Sequence, residues 1–368
     1  MDDGGTDLPT DVLVYILQRL QPDDRRRLRL ICRHWRHVVD TRTATSLRGK
    51  GNMLLDTVDG AYIFDELAIG LRSWQIPVSP FCYVRRNEVV GTCNGIVCIR
   101  DNYGGIFLHN PLTGDRLAVP SLPPQYKTWA GDFSFTYDRA TRRYMIVRVP
   151  YSLRGVMVFT LGEAVWRVIP CGIYLHHHDN GIVTIDNMMY WAEWDIVMSL
   201  DLNSERGPSV VPLPSPRLAG GLRLTQVLGM LGIVFSNFSG TVDKMEVWVM
   251  ERGASIGANH LGWSRRYSVH IERMPRHQPQ WHDHQHLTWP HFAHGSNHVL
   301  TWKWLPTGGC ALYRHMASND NTKAPCGTVV VNERNQGTLM AHIETKYDTF
   351  RRFDYVQTRE PLLVYKRW

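Results

Sequence analysis

Apolar residues recur at helical spacing near the start of the chain and at strand spacing through most of the rest. Val12, Leu13, Ile16, Leu17 and Leu20 fall three and four positions apart and line one face of a helix. Pro9 suits the first turn, where its missing N–H leaves nothing unsatisfied, and Asp7 or Thr10 caps that start. Pro22 breaks the pattern, Asp23 and Asp24 offer a new cap, and Leu28, Ile31, Cys32, Trp35, Val38 and Val39 make a second stripe. The opposite face carries Arg25, Arg26, Arg27, Arg29, Arg33 and Arg36. So short a segment cannot bury a core alone. Its apolar faces need the rest of the chain, or the helices of another protein. The arginines could also sit on phosphates, but a charge run is more often a solvated face.

After the small polar stretch 43–52 the pattern changes. Short β-branched and aromatic runs alternate with Gly, Pro, Asn and Asp turns, which predicts many antiparallel strands. The runs fall into groups: 89–99, 105–115 and 117–120; then 133–138, 144–149, 156–159 and 164–169; then 181–185, 189–192, 196–201 and 209–214; then 222–224, 231–235, 245–250 and 263–267. A recurrence of roughly 40–50 residues is the period of propeller blades, and residues 46–368 at roughly 45 per blade give about seven. Stacking blades around an axis also hides sheet edges, which favours a propeller over a pair of sandwiched sheets. Asn94-Gly95 and Asn110-Pro111 with Thr113-Gly114 read as tight turns within this scaffold.

Composition narrows the function classes. Hydrophobic content of 43% and charged content of 20% describe an ordinary soluble chain. No apolar run approaches the roughly 20 residues of a membrane span, so no membrane partner is expected. The opening Met-Asp-Asp-Gly-Gly is not a secretory signal. Seven cysteines without paired C-x-x-C knuckles read as reduced thiols, and place the protein in the nucleus and/or cytoplasm. A net charge of +7 permits acidic partners without demanding nucleic acid, and none is expected, even at Arg265-Arg266.

Candidate chemistry is sparse. His282, His284 and His286 alternate beside Asp283, which on a strand would place three zinc, copper or nickel ligands on one face. Pro275, Pro279 and Pro290 favour an irregular loop instead. His176, His177 and His178 are consecutive and would point in opposite directions along a strand. With no H-E-x-x-H, Walker loop or G-x-G-x-x-G after a strand, no catalytic residue, metal or cofactor is assigned.

The N-terminal residues Leu8-Pro9, Val12-Leu13, Ile16-Leu17, Leu20, Leu28, Ile31-Cys32-Arg33 and Trp35-Arg36 resemble an F-box over roughly 7–42, with Arg25 where that family often has leucine. The resemblance implies docking to a Skp-type adaptor and, through it, a cullin ubiquitin ligase. The implied adaptor-binding set is Leu8, Pro9, Val12, Leu13, Ile16, Leu17, Leu20, Leu28, Ile31, Cys32 and Trp35. The last four of these would support the helical fold. Gly91-Thr-Cys-Asn-Gly-Ile-Val-Cys98 with His109-Asn-Pro-Leu-Thr-Gly114, Phe135-Thr-Tyr-Asp138, Met189-Tyr-Trp191 and Glu246-Val-Trp-Val-Met250 are similar to plant F-box-associated domains. Those domains are kelch-like and recruit target proteins without catalysing a reaction. The expected architecture is multidomain: a small all-α F-box module at 1–45, a linker and first strands at 46–89, and an all-β, propeller-like substrate-recruiting domain at 90–368. The expected function is the substrate-recognition subunit of a Skp–cullin–F-box ligase, the alternative being a stand-alone propeller-type binding module. Trp74, Trp129, Trp194, Trp281, Trp302 and Trp304 are candidate hot spots for an unknown target.

Overall fold

The computed structural model describes Val12, Leu13 and Trp35, then residues 52–57, 60–65, 74–76, 88–101, 104–123, 131–138, 140–150, 155–171, 182–193, 196–204, 207–214, 222–227, 229–237, 242–250, 262–272, 291–292, 298–304, 309–316, 318–319, 327–331, 337–343, 351–356, 358, 360, 362 and 365. Val12, Leu13 and Trp35 are α-helical, Tyr365 lies in a 3-10 turn, and the rest is strand, turn and irregular chain.

Strands appear where β-branched and aromatic residues were dense. In chain order they are β1 (Asn52–Thr57), β2 (Gly60–Asp65), β3 (Trp74–Ile76), β4 (Glu88–Cys93), β5 (Ile96–Arg100), β6 (Ile106–His109), β7 (Arg116–Ala118), β8 (Gly131–Asp138), β9 (Arg143–Pro150), β10 (Gly155–Thr160) and β11 (Arg167–Pro170). There follow β12 (Ile182–Ile185), β13 (Met188–Glu193), β14 (Ile196–Asp201), β15 (Ser209–Val211), β16 (Leu222–Val227), β17 (Met230–Asn237), β18 (Val242–Met250) and β19 (Trp263–Glu272). The last are β20 (His291–Phe292), β21 (His298–Trp304), β22 (Cys310–Met316), β23 (Ser318–Asn319), β24 (Gly327–Val331), β25 (Thr338–Ile343) and β26 (Arg351–Tyr355).

These strands make six sheets, the blades of a propeller. Blades 2, 3 and 4 are β4–β7, β8–β11 and β12–β15, each a run of consecutive antiparallel neighbours. Blade 5 begins with β16–β19, and blade 6 is β20, β21, β22 and β25. Blade 1 joins distant parts of the chain: β26 pairs with β1, setting Asn52 against Tyr355 and Asp56 against Arg351, and β2 and β3 follow outward.

The two faces of each sheet explain why the blades stack. In β9, Tyr144 and Ile146 enter the cluster shared with blade 2, while Met145, Val147 and Val149 enter the cluster shared with blade 4. Six such clusters close the ring. Val97 and Ile99 meet Leu54 between blades 1 and 2, and Leu108 meets Phe159 between 2 and 3. Val158 meets Trp191 between 3 and 4, and Val197 meets Ile233 between 4 and 5. Val247 meets Val299 between 5 and 6, and Leu312 meets Met53 between 6 and 1. Each such aliphatic or aromatic side chain contributes about 1.5–3 kcal/mol when fully buried.

Six blades correct the expected seven. Two features absorb the chain that a seventh would use. The connection from β19 to β20 runs over 273–290. After β22 the chain crosses to blade 5, where β24 lies parallel to β19 and β23 pairs with β24, before β25 returns to the edge of blade 6. Blade 5 therefore has six strands and exchanges chain with its neighbour.

The segment after β26 is fastened beneath blades 2 and 3. Asn94 and Gly95 take positive φ in the β4–β5 turn, and a Cβ on Gly95 would lie 2.5 Å from Thr358 Oγ1. The Thr358 hydroxyl donates to the Asn94 carbonyl. The Asn110 amide donates to the carbonyls of Thr358 and Glu360, at 3.0 Å each. Its own oxygen accepts from Leu112 N–H at 3.0 Å. The Tyr365 hydroxyl donates to Glu360 Oε1 at 2.9 Å, its ring stands edge-on to Tyr144, and Leu362 is buried between blades 2 and 3. The turns read as scaffold are thus also the clasp for this segment. Leu362→Ala is expected to lower stability by about 2–5 kcal/mol, as for other core truncations, and to expose 356–365 to protease; urea unfolding and limited proteolysis check both.

A buried histidine sits in blade 6. His315 Nε2 lies 2.7 Å from Thr301 Oγ1, and a Cβ on Gly337 would come within 2.7 Å of the ring. Burial pushes His315 down to about 4, so the fold holds it neutral. The unfolded chain binds that proton near its ordinary value of about 6.5. The contribution is therefore complete above about pH 6.5 and is lost as the pH falls toward 4. His315→Gln should flatten the decline in melting temperature across that window relative to the wild type; parallel pH curves for the two proteins would refute it.

Candidate functional site

The two ends of the propeller differ. At one end lie the β4–β5, β6–β7, β8–β9 and β12–β13 turns and the fastened segment after β26. These turns are short and hydrogen-bonded: Asp138 Oδ1 accepts from Ala140 N–H at 2.9 Å within the β8–β9 turn, and Asn187 in the β12–β13 turn donates to Asp201 at the end of β14 at 2.8 Å. The connections that carry the chain from blade to blade, including 77–87, 119–130, 171–181, 212–221 and 273–290, leave from the opposite end.

At that second end the antiparallel register gathers charge around one ring. Glu88 opens β4 opposite Arg100, the last residue of β5. Phe133, near the start of β8, lies opposite Arg148, near the end of β9. The Arg100 guanidinium donates to Glu88, and each side chain keeps 21% of its surface exposed. Arg100 Cζ stands 5.0 Å from the centroid of the Phe133 ring, and Arg148 Cζ stands 5.6 Å from it. Arg148 is buried, and its Nη1 donates to the Met157 thioether at 3.7 Å, a weak acceptor. Burial, with the charge of Arg100 second, pulls the Arg148 guanidinium down to about 10. An aromatic face attracts cations through its quadrupole, by about 0.5–1 kcal/mol when exposed and about 2 when desolvated. Phe133 thereby holds two like charges close together.

None of this constellation was selected from the sequence. The available signal was Arg148 itself, a charge inside the run Tyr144-Met-Ile-Val-Arg-Val149 that otherwise reads as buried on both faces.

Of the sequence-derived adaptor set, Val12 is exposed, Leu13 buried and Trp35 half-buried. Leu8, Pro9, Ile16, Leu17, Leu20, Leu28, Ile31 and Cys32 lie outside the described residues. Trp74 falls in β3, and Trp302 and Trp304 in β21; Trp129, Trp194 and Trp281 lie outside the described residues. Trp166 and Trp191 are core. Among the described residues no group of three or more His, Cys, Asp or Glu is placed to hold a metal. The stretches 282–286 and 176–178 lie outside them. Gly253-Ala-Ser-Ile-Gly257 fits the letters of G-x-S-x-G, but it joins the antiparallel strands β18 and β19 rather than a strand and a helix. Cys98 is fully buried and its thiol is pushed up by that burial, which makes it inert.

Comparison with known proteins gives two family matches: the F-box domain over residues 6–44, and the F-box associated beta propeller domain over residues 75–350. An F-box protein of Arabidopsis thaliana is 22% identical over 71% of this chain and 72% of its own length. An F-box/kelch-repeat protein of the same plant is 22% identical over 71% of this chain and 79% of its own. Among solved structures, the beta-propeller domain of Myceliophteria thermophila Cps50 (Swd1) overlaps 70% of this chain and 88% of that one at 10% identity, with a TM-score of 0.38, too loose an overlay to carry an argument.

Phe133→Leu is expected to destabilise the protein by about 1–3 kcal/mol through the lost ring contacts. Because Arg148 is buried, the loss should change little with salt. A double-mutant cycle with Arg100→Gln measures this, and a coupling energy near zero would reduce Phe133 to packing alone.

Proposed function

Because the chain belongs to the F-box proteins that carry an F-box-associated β-propeller domain, we propose that it is a substrate receptor of a Skp–cullin–F-box ubiquitin ligase. The N-terminal helices dock a Skp-type adaptor through Leu8, Pro9, Val12, Leu13, Ile16, Leu17 and Leu20, with Leu28, Ile31, Cys32 and Trp35 holding the second helix in place. The adaptor in turn reaches a cullin. The propeller holds a target protein so that its lysines meet the charged E2 enzyme. In this reading the chain supplies effective concentration and orientation, and bond chemistry belongs to other subunits. Its place of work is the nucleus and/or the cytoplasm.

The observation that carries the reading is the pairing of the two modules: an F-box match at 6–44 and a ring whose six interblade clusters include contacts between its first and last strands. One end of the ring is occupied by turns and the segment after β26. The other bears the blade-to-blade connections and the Arg100–Phe133–Arg148 cluster, and is the end we assign to a target.

Co-purification with a Skp-type adaptor tests the proposal, comparing wild type with Leu17→Asp plus Leu20→Asp. Charge buried in a docking face should abolish the complex. Retention of the complex by the double variant would move docking elsewhere. A folded wild type that fails to bind would leave a stand-alone propeller module.

A further inference from the structure

The flank of blade 5 that faces blade 4 carries a second cationic group, built on strands alone. Four cross-strand pairs share that face of β18 and β19: Lys244 with His270, Glu246 with Ser268, Trp248 with Arg265, and Met250 with Trp263. These strands run nine and ten residues, whereas blade 4 ends in the three-residue β15. Trp263 Nε1 donates to the Pro212 carbonyl at 2.9 Å, just past β15, so blade 4 braces one end of the stripe. The other end approaches Glu272, the last residue of β19, where the connection to blade 6 leaves. The stripe therefore runs toward the end assigned to a target.

One carboxylate organises the charge. Glu246 Oε1 accepts from Lys244 Nζ at 2.7 Å and from Arg265 Nη1 at 3.4 Å, and its Oε2 accepts from Trp248 Nε1 at 3.3 Å. The Glu246 side chain keeps 10% of its surface, against 45% for Lys244 and 42% for Arg265. The acid thus lies beneath two cations and holds them side by side, with donors to spare on the solvent side. The register shifts opposite Val247 and Trp248, which inserts the exposed Arg266 next to Arg265. Ser268 Oγ lies 2.8 Å from His270 Nε2. Burial first, and then the charge of Lys244, hold His270 below its ordinary value, so the ring is neutral at pH 7. Lys244, Arg265 and Arg266 outnumber Glu246, and still outnumber the acids when Glu272, placed opposite Val242, is added. Asp243 falls at the alternate position, in step with Met245 and Val247 of the cluster shared with blade 6.

Magnitude selects the occupant. An arriving carboxylate brings one charge, no more than Glu246 already supplies. A phosphoryl group carries about −1.5 to −2 charges at pH 7 and three acceptor oxygens, enough to draw both cations. The Arg265–Glu246 contact is long and half-exposed, so little is lost when the guanidinium turns to a stronger anion. We infer that this flank receives a phosphorylated serine or threonine of the recruited target, its phosphoryl group bridging Lys244 and Arg265 and an apolar neighbour lying against Trp248. The inference rests on the receptor reading above and names the mark that the target carries.

The test is binding of the full chain, with and without the Skp-type adaptor, to a random dodecapeptide library with one central phosphoserine. Matched libraries carry serine or glutamate at that position. Wild type should prefer the phosphoserine pool by at least about tenfold, the gain of one charge-assisted contact. Lys244→Gln and Arg265→Gln should each cut that preference by a similar factor. Arg265→Lys, which keeps the charge but not the fork, should fall between and guards against misfolding of the glutamine variant. Arg143→Gln removes an equally exposed charge from blade 3 and should bind as wild type, which separates a local site from net charge. Equal binding of the phosphoserine and glutamate pools, or equal binding by wild type and both glutamine variants, would overturn the inference. Loss of the preference in a chain that still binds the adaptor sinks this inference alone, whereas an intact preference without adaptor binding sinks the ligase reading alone.

Discussion

Everything in this ring depends on the ladder between β1 and β26. Five residue pairs, from Asn52 with Tyr355 to Asp56 with Arg351, join segments about three hundred residues apart. Without that ladder, blade 1 has no inner strand, and the clusters it shares with blades 2 and 6 lose one wall. Leu54, Ile63 and Tyr355 lie in one of these clusters, and Met53 and Leu55 in the other. The Asp56 carboxylate also accepts from the Val89 amide at 3.3 Å, so the closing ladder is tied to the first strand of the next blade. A closed ring also removes the open sheet edges that would otherwise pair with other chains.

The outer edges are handled by length. In blades 1 to 4 the outermost strands, β3, β7, β11 and β15, are three or four residues long. Blades 5 and 6 are different: their chain is exchanged through β23 and β24, which ties the two blades by backbone as well as by side chains. The two ends of the ring therefore sit on a frame whose parts cannot slide past one another independently.

Much of this was legible in the sequence, and the gaps have physical causes. The four groups of strands read between 89 and 267 correspond to blades 2 to 5, because each blade there is built from consecutive hairpins whose period-two patterns stay local. Blade 1 was not readable as a unit, since one of its three ladders comes from β26, and blade 6 was obscured by the detour through blade 5. The count of seven failed for the same reason: dividing length by period assumes that no chain is spent on exchange. The Arg100–Phe133–Arg148 cluster left no trace in the sequence beyond Arg148 itself, because it exists only where two registers bring four strand ends together. Asn94-Gly95 and Asn110 were recognised as turns, yet their hold on Thr358 and Glu360 joins positions some 250 residues apart and leaves no local trace.

The chain exchange and the late closing ladder also set an order of assembly during synthesis. Blades 2, 3 and 4 can complete their pairings as they leave the ribosome, because every strand they need is consecutive. Strands β1 and β2 emerge early and must wait for β26. At synthesis rates of about 5–20 residues per second, that wait over roughly 300 residues lasts about 15–60 s. Throughout it, Met53, Leu55 and Phe64, which pack against blade 6 in the finished ring, have no partner blade on that side. The nascent protein is therefore a natural client for chaperones that shield apolar strands, and a ribosome that stalls before β26 would release a chain with its first blade open.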